Sequence, residues 1–309
     1  MWMLWLFVWP GVKMSFNVRP VIKEDKAPLA NMVRSLWEGT DYLPGLFDDW
    51  VRDNAGEFCA VEWDGRLVGC GKLTWLTEKD AWLEGLRSDT TFKHRGIGKA
   101  FLEYMLPRVA RENPETVRFA TYWGNIGSVK NAERFGFLKE KELNVKSREI
   151  ASGSIESPDG RYRPADRAEK RLFLNRTSFF SQCGEYILDG WRAYPVKKEI
   201  LEVLTDESRF FRILDEESPA WLAFAMENPP AEVKLTLFEC SSPGSGRRLL
   251  RSFLYEMQKE GIRYVETVLP DDLILRHVFA AEGFFSWERE HDYWIYGLPL
   301  SLLSERYGG

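Results

Sequence analysis

The sequence predicts an α/β (α+β) fold built from two similar halves. Each half has a glycine turn between a strand pattern and an amphipathic helix, at Gly96 and Gly244, and a glycine that closes the next helix, at Gly136 and Gly283. The members of these two pairs lie 148 and 147 residues apart. A repeat of that length indicates a duplicated domain rather than a solenoid, and a chain of 309 residues is long enough for two domains.

Apolar residues in the first half recur at two different spacings. Alternating or short apolar runs predict strands, whereas apolar residues at every third or fourth position predict helices. Asp64-Gly65 is a hairpin signal, and Asn125 stands where a helix N-cap belongs. The predicted strands are residues 16–21, 57–63, 66–74, 81–88, 117–123 and 137–145, and the predicted helices are residues 26–37, a short one through 47–51, one after the glycine turn, and 126–135.

The second half repeats this order after a linker. Residues 151–166 are rich in Ser, Gly, Pro and charge, which is typical of a loop. Residues 170–175 are apolar enough to predict a strand. Further strands are predicted at 209–214, 220–226, 233–240 and 264–269, with helices after the turn at Gly244 and before Gly283.

The turn Thr91-Phe92-Lys93-His94-Arg95-Gly96-Ile97-Gly98-Lys99-Ala100 is the first candidate for chemistry. The first amides of a helix have no internal acceptor and carry the positive end of the helix dipole. Two glycines allow a close backbone approach, and four basic side chains surround the turn. A pyrophosphate would fit there. The alternative is a solvated basic turn, and the turn is neither a Walker loop nor a Rossmann fingerprint.

Composition narrows the class of protein. A formal net charge of −5 argues against nonspecific nucleic-acid binding, and a mean hydropathy of −0.35 predicts a soluble protein. Four cysteines without a CxxC pair and three scattered histidines predict free thiols in a reducing cytoplasm and no metal site. Residues 1–10 are apolar but too short to span a bilayer, and no cleavage site follows them, so we expect no membrane partner and a domain start near Met14.

Two motifs resemble the GNAT superfamily of N-acetyltransferases. Lys93-His94-Arg95-Gly96-Ile97-Gly98 is similar to the superfamily loop Q/R-x-x-G-x-G/A, with Lys in the first place. Asn125-x-x-Ser128 and Phe135-Gly136-Phe137 are similar to its motif B. The resemblance implies two tandem GNAT-like domains, residues 14–165 and 166–309, each a mixed, mostly antiparallel twisted sheet flanked by helices.

The resemblance also implies acetyl-CoA as the cofactor of the first domain. The fourth strand would pair with its pantetheine arm, the turn would hold its pyrophosphate, and the start of the next helix would complete the site. The residues assigned to it are Leu86, Arg87, Ser88, Lys93, His94, Arg95, Gly96, Ile97, Gly98, Lys99, Asn125 and Ser128.

The corresponding positions of the second domain are altered. Ser241-Ser242-Pro243 replaces the basic residues of the turn, and Pro243 has no N–H to offer an oxygen. The pair Asp271-Asp272 replaces Asn125, and carboxylates at a helix start would repel an anionic ligand. We therefore expect a degenerate domain with a structural or acceptor-pocket role.

For the reaction, the resemblance assigns the general base to Glu84 on the fourth strand; the alternative for Glu84 is a salt bridge with Arg87 or a neighbour. Backbone N–H groups near Leu86 and Arg87 would meet the thioester carbonyl if that strand is bulged. Many members of the superfamily have a Tyr that protonates the leaving CoA thiolate. Ala132 occupies the corresponding position in this sequence. Tyr122, or Tyr104, is the substitute, although each could equally be a packed aromatic residue.

The predicted acceptor is a primary amine of a small molecule. Asp41-Tyr42-Leu43-Pro44, Trp50 and Glu84-Gly85-Leu86-Arg87 resemble the histidine α-N-acetyltransferase group. Asp41 and Glu84 would hold a cationic group, Arg87 a carboxylate, and Tyr42 and Trp50 a flat side chain. The alternatives are that Tyr42 and Trp50 only fasten a helix to the sheet, that the chain is a non-catalytic acyl-CoA-binding or regulatory module, or that it acetylates protein N-termini or lysines.

Overall fold

The computed structural model describes residues 15–34, 36–39, 41–92, 95–156, 162–213, 217, 219–226 and 232–308. The predictions for residues 1–10, Met14, Lys93 and His94 lie outside these ranges. The chain divides into two compact units. The first comprises Met1–Glu115 with Leu300–Gly309, and the second comprises Thr116–Pro299.

The helices and strands follow one another along the chain as follows: β1 Phe16–Pro20, α1 Lys26–Val33, α2 Leu43–Arg52, β2 Glu57–Trp63, β3 Arg66–Trp75, β4 Asp80–Ser88, α3 Ile97–Arg111, β5 Thr116–Tyr122, α4 Ile126–Phe135, β6 Leu138–Glu149, β7 Tyr162–Pro164, α5 Arg167–Leu174, α6 Phe179–Gln182, β8 Tyr186–Asp189, β9 Arg192–Pro195, α7 Lys198–Glu207, β10 Arg209–Ile213, β11 Ala220–Met226, β12 Glu232–Cys240, α8 Pro243–Lys259, β13 Tyr264–Leu269, α9 Leu273–Ala281, β14 Tyr293–Gly297 and α10 Leu300–Tyr307.

The first unit contains an antiparallel sheet in the order β1-β2-β3-β4. Asp64 and Gly65 form the predicted β2–β3 hairpin with φ of 50° and 72°, values that a two-residue turn of this type requires. The apolar faces of α1 and α2 meet the sheet in a core that includes Leu29, Phe47 and Trp50. On this unit α10 packs against α3.

The second unit contains a sheet in the order β5-β14-β6-β13-β12-β11-β10-β7. Its neighbouring strands are antiparallel except for the parallel pair β12–β13. The long strand β6 pairs with β14 through residues 138–143 and with β13 through residues 144–149. As a result β14, from the second half of the sequence, lies between β5 and β6 from the first half. A separate hairpin is formed by β8 and β9.

The predicted fold class is confirmed: mostly antiparallel sheets are flanked by helices. The compact units do not coincide with the halves of the repeat, and the domain limits at 165 and 166 stay a prediction. The strand predicted at residues 170–175 is wrong, because these residues belong to helix α5 and its C-cap. Asp166 accepts from the Glu169 amide at 2.9 Å and Glu169 accepts from the Asp166 amide at 3.1 Å, a capping box that starts the helix.

Candidate functional site

Strand β4 is bulged beside the candidate base. The register pairs Cys70 with Arg87 but Lys72 with Glu84, so β4 carries one residue more than β3 in this interval. Gly85 takes a φ of +65° at the bulge, a backbone conformation that favours glycine. A β-carbon at Gly85 would overlap the ring of Trp50. The strand is therefore bulged at Gly85, which is the condition stated above for backbone N–H groups to meet a thioester carbonyl.

Glu84 is half-buried on the bulged strand, and one of its oxygens is oriented. Thr74 Oγ1 on β3 donates to Glu84 Oε1 at 2.5 Å. This contact orients one oxygen of the carboxylate. Sequence reasoning missed Thr74, because a contact across the strands depends on a register that the bulge shifts.

Asp41 and Arg87 form a pair within the first unit. Arg87 Nε donates to Asp41 Oδ2 at 2.5 Å, and the Asp41 side chain is 1% exposed. The other oxygen, Oδ1, accepts from the Leu43 amide at 2.9 Å. Both carboxylate oxygens of Asp41 therefore have partners inside the unit, and Arg87 is paired with the Asp41 carboxylate. Asp41 thus contacts both Arg87 and the start of α2. Its contact with a substrate cation stays a prediction.

Tyr42 and Trp50 differ in accessibility. Tyr42 is 42% exposed, and the Arg87 guanidinium lies 5.0 Å from the centre of its ring. Trp50 is only 4% exposed and packs edge-on against Phe58, with ring centres 5.1 Å apart. Trp50 thus supports the bulge from the core, whereas the ring of Tyr42 is partly open to solvent.

The glycine turn leads into α3, whose start has no side-chain cap among the described residues. Gly96 is the N-cap residue, has a φ of +99° and has no side chain that could accept from the amides of the first turn. Arg95 is exposed with its guanidinium 5.6 Å from the ring of Phe92, and Lys99 forms a surface pair with Glu103 at 3.1 Å. A helix start of this kind suits an anion, because donors and dipole point to the same place.

The second unit contains the start of α4, where motif B lies. Asn125 Oδ1 accepts from the Ser128 amide at 3.3 Å, which confirms the predicted cap. Tyr122 ends β5 three residues earlier and is half-buried; burial, together with Glu288, raises the pKa of its hydroxyl.

Tyr104, the other candidate acid, is engaged elsewhere in the first unit. Its hydroxyl donates to Glu57 Oε1 at 2.6 Å, and the Arg108 guanidinium lies 3.3 Å from the centre of its ring. Burial and the hydrogen bond to Glu57 raise the pKa of Tyr104. These contacts describe a packed aromatic residue.

The helix starts of the second half are capped by their own side chains. Ser242 Oγ accepts from the Ser245 amide at 3.2 Å, with Pro243 in the first turn of α8. Asp272 Oδ1 accepts from the Leu275 amide at 2.9 Å at the start of α9. A cavity of about 250 Å³ lies beside these starts, and Glu239 and Asp272 are among its lining residues. Negative charge and satisfied donors make this region a poor match for phosphate.

Other chemistries find little support among the described residues. Within them, no group of three His, Cys, Asp or Glu side chains could hold a metal ion. The four cysteines are free, and three of them are buried. No helix in the described part of the chain is both long and apolar enough to cross a membrane.

The sequence of the chain was compared with known protein families and with curated proteins. Residues 26–137 match the sequence profile of the Acetyltransferase (GNAT) family. The matched part includes β4, the turn and α4. No curated protein sequence matches the chain significantly.

Solved structures share the fold over most of the chain. A GCN5-related N-acetyltransferase from Sphaerobacter thermophilus superposes with a TM-score of 0.67 at 13% identity, covering 92% of this chain and 96% of that one. A tandem GNAT protein from the clavulanic acid biosynthesis pathway gives 0.58 at 16% identity, covering 92% and 98%. A putative acetyltransferase from Pyrococcus horikoshii gives 0.56 at 12% identity, covering 91% and 88%. The fold is therefore that of GNAT proteins, one of them a tandem GNAT protein.

Proposed function

We propose that this chain is an N-acetyltransferase that moves an acetyl group from acetyl-CoA to the primary amine of a small molecule. The preferred acceptor in this proposal is the α-amine of an amino acid such as histidine. The observation that carries the proposal is the bulged strand β4, which bears Glu84 and leads to the uncapped start of α3. Residues 14–165 form the catalytic domain in this proposal.

Acetyl-CoA would supply the activated acetyl thioester. In the first unit the open amides of residues 97–99 and the charge of Arg95 fit its pyrophosphate. Lys93 and His94 join them by resemblance. Leu86, Arg87 and Ser88 on β4 would pair with the pantetheine arm. In the second unit the resemblance adds Asn125 and Ser128.

Glu84 would take the proton that the attacking amine loses. The hydrogen bond from Thr74 to Glu84 Oε1 fixes the orientation of the carboxylate. General-base assistance contributes about 10²–10⁴-fold in rate. Tyr122 would deliver a proton to the leaving thiolate.

The α-amine is the easier nucleophile for such a site. Its pKa is about 7.7–8.0, against about 10.4 for a lysine side chain, so far more of it is neutral near pH 7. The exposed face of Tyr42 suits a flat side chain such as imidazole. Trp50 and Asp41 would shape this pocket indirectly, through the bulge and through Arg87.

One observation favours a second candidate function. The position of the usual acid is occupied by Ala132, which is buried in α4 and has no proton to give. The second candidate is therefore an acyl-CoA-binding or regulatory module without turnover.

The deciding assay measures thiol release from acetyl-CoA across a panel of amines. The panel holds free amino acids including histidine, and lysine-bearing and free N-terminal peptides. Turnover with free amino acids is the expected result. Activity confined to the peptides would show a protein acetyltransferase, and tight CoA binding without turnover on any amine would favour the binding module.

A further inference from the structure

Three arginines of the second unit surround one acidic residue. Arg247 Nε on α8 donates to Glu282 Oε1 at 3.1 Å, and Arg251 Nε, one helical turn later, donates to Glu282 Oε2 at 3.2 Å. Arg148 on β6 contacts the same residue, because its Nη1 donates to the Glu282 carbonyl. These four residues are called the arginine cluster below.

The arginine cluster has more positive than negative charge. The Glu282 side chain is 4% exposed, and its carboxylate can neutralise one of the three guanidinium groups. Arg148 donates to a neutral carbonyl and therefore keeps its full charge. The negative end of the α9 dipole, at the C-cap Glu282, offsets about half a charge more. More than one positive charge therefore remains in the cluster.

The excess charge acts on the arginines themselves. Burial lowers the pKa of Arg148, and the charge of Arg251 lowers it further, against the charge of Glu282, which raises it. Within the described part of the chain, Arg148, Arg247 and Arg251 have no carboxylate partner other than Glu282. An anion bound between these guanidinium groups would relieve their repulsion.

Other acidic side chains of this region do not neutralise the cluster. Glu149 follows Arg148 on β6 and therefore points to the opposite face of the sheet. On α8, Glu256 pairs with Lys259 at 3.1 Å. The acidic residues that follow Glu282 act at other positions: Glu290 pairs with Lys146, and Glu288 raises the pKa of Tyr122.

The first half of the repeat lacks these arginines. At the spacing of 148 residues that relates Gly96 to Gly244, Arg247 corresponds to Lys99 and Arg251 to Glu103. Lys99 and Glu103 form a neutral surface pair at 3.1 Å. The helix after the glycine turn thus forms without two arginines at these positions, so the shared fold does not require them.

The free nitrogens of the cluster suit a phosphoryl group. Glu282 accepts from the Nε atoms of Arg247 and Arg251, which leaves the terminal nitrogens of two side chains that are 44% and 52% exposed. A guanidinium offers parallel N–H groups to two oxygens of a phosphate. Because one carboxylate already orients both side chains, binding a dianion costs them little conformational freedom.

We propose that the arginine cluster is a binding site for a phosphoryl group, supplied by free phosphate or by a small phosphorylated molecule. The site uses side chains along α8 and on β6, so it is separate from the start of α8, where Ser242 is the cap. It lies within the second unit and does not depend on acetyl transfer. The proposal therefore stands even if the chain turns over no amine.

The test is protection of arginine side chains from phenylglyoxal, read residue by residue by mass spectrometry on the intact chain. Inorganic phosphate and glycerol 3-phosphate should each slow the modification of Arg247 and Arg251 relative to chloride at equal ionic strength. The probe that acts at the lower concentration identifies the source of the phosphoryl group. Arg209 is the matched control, since its side chain is 53% exposed but pairs with one carboxylate, that of Glu260. Its modification should not change.

A variant tests the same site independently. In Arg251→Gln, the concentration of inorganic phosphate that half-protects Arg247 should rise by about 10- to 150-fold, because one charge-assisted interaction is lost while an amide donor remains. Arg209→Gln should leave this concentration unchanged. Gly98→Glu, which blocks the start of α3 in the first unit, should also leave it unchanged. Thermal melting checks that each variant is folded.

Three results would overturn the proposal. Equal protection of Arg209 and Arg251 would show general screening by the anion. Protection confined to Arg95 would show that phosphate binds only beside the start of α3. A folded Arg251→Gln variant that is less stable than the wild type but needs the same phosphate concentration would show that the arginines serve only to hold Glu282.

Discussion

The helix starts after the two glycine turns have the same place in the repeat and opposite chemistry. At α3 the N-cap is Gly96, which leaves the first amides open to a ligand. At α8 the N-cap is Ser242, whose hydroxyl accepts from the Ser245 amide, and Pro243 removes another donor. Both halves therefore contain a strand–turn–helix unit, and at α8 a side chain of the turn accepts from the first amides.

The next helix of each half shows the same contrast. α4 is capped by the neutral amide of Asn125, and α9 is capped by the carboxylate of Asp272. A carboxylate stabilises the positive end of the helix dipole by itself and would repel a phosphate. The two halves therefore differ most clearly in the residues that cap their helices.

The largest expected effect is on CoA affinity, when the variant Gly98→Glu in the first half is compared with Gly244→Glu in the second half. The first places bulk and negative charge at the open start of α3, and we expect CoA affinity to fall by about a hundredfold or more, since several charge-assisted hydrogen bonds are lost together. At Gly244 a β-carbon would lie 3.9 Å from its nearest neighbours, so the same substitution fits there. Titration calorimetry should find the same CoA affinity for Gly244→Glu as for the wild type. An equal loss of affinity in both variants would show that the two helix starts do not differ in CoA binding.

Glu84→Gln should show the next effect, a fall in kcat of about 10²–10⁴-fold with little change in acetyl-CoA binding. Raising the pH should restore part of the rate, because more acceptor is then already neutral. The control is Glu239→Gln on β12, a carboxylate that accepts from the Ser178 amide at 3.2 Å in the second half. Steady-state kinetics from pH 6.5 to 9.5 give the answer, and a wild-type rate for Glu84→Gln near pH 7 would make Glu84 structural.

Ser242→Ala should have the smallest effect, and on stability alone. Loss of this N-cap should lower the free energy of unfolding by about 1 kcal/mol, because the Ser245 amide loses its acceptor. Chemical denaturation measures that change. CoA affinity should be the same as in the wild type; a weaker affinity would mean that the start of α8 takes part in binding.

Local signals made much of the fold predictable from the sequence. The Asp64-Gly65 hairpin, the Asn125 cap and the Gly136 C-cap, with a φ of +85°, each depend on a few consecutive residues. The strand assignment at residues 170–175 failed although Asp166-x-x-Glu169 is a capping-box pattern. The apolar content of residues 170–175 is compatible with a strand or a helix, and the cap decides for a helix.

The rest of the site depends on contacts between distant residues. Thr74 reaches Glu84 across a bulged register, and Asp41 reaches Arg87 over 46 positions. Neither propensity nor spacing in one sequence encodes such pairings, so these contacts could not be predicted from the sequence.

The stoichiometry of CoA binding to the intact chain is the most direct test of the contrast between the halves. Titration calorimetry should give about one site per chain, since the start of α3 has open donors and the starts of α8 and α9 are capped. Two equivalent sites per chain would contradict the account.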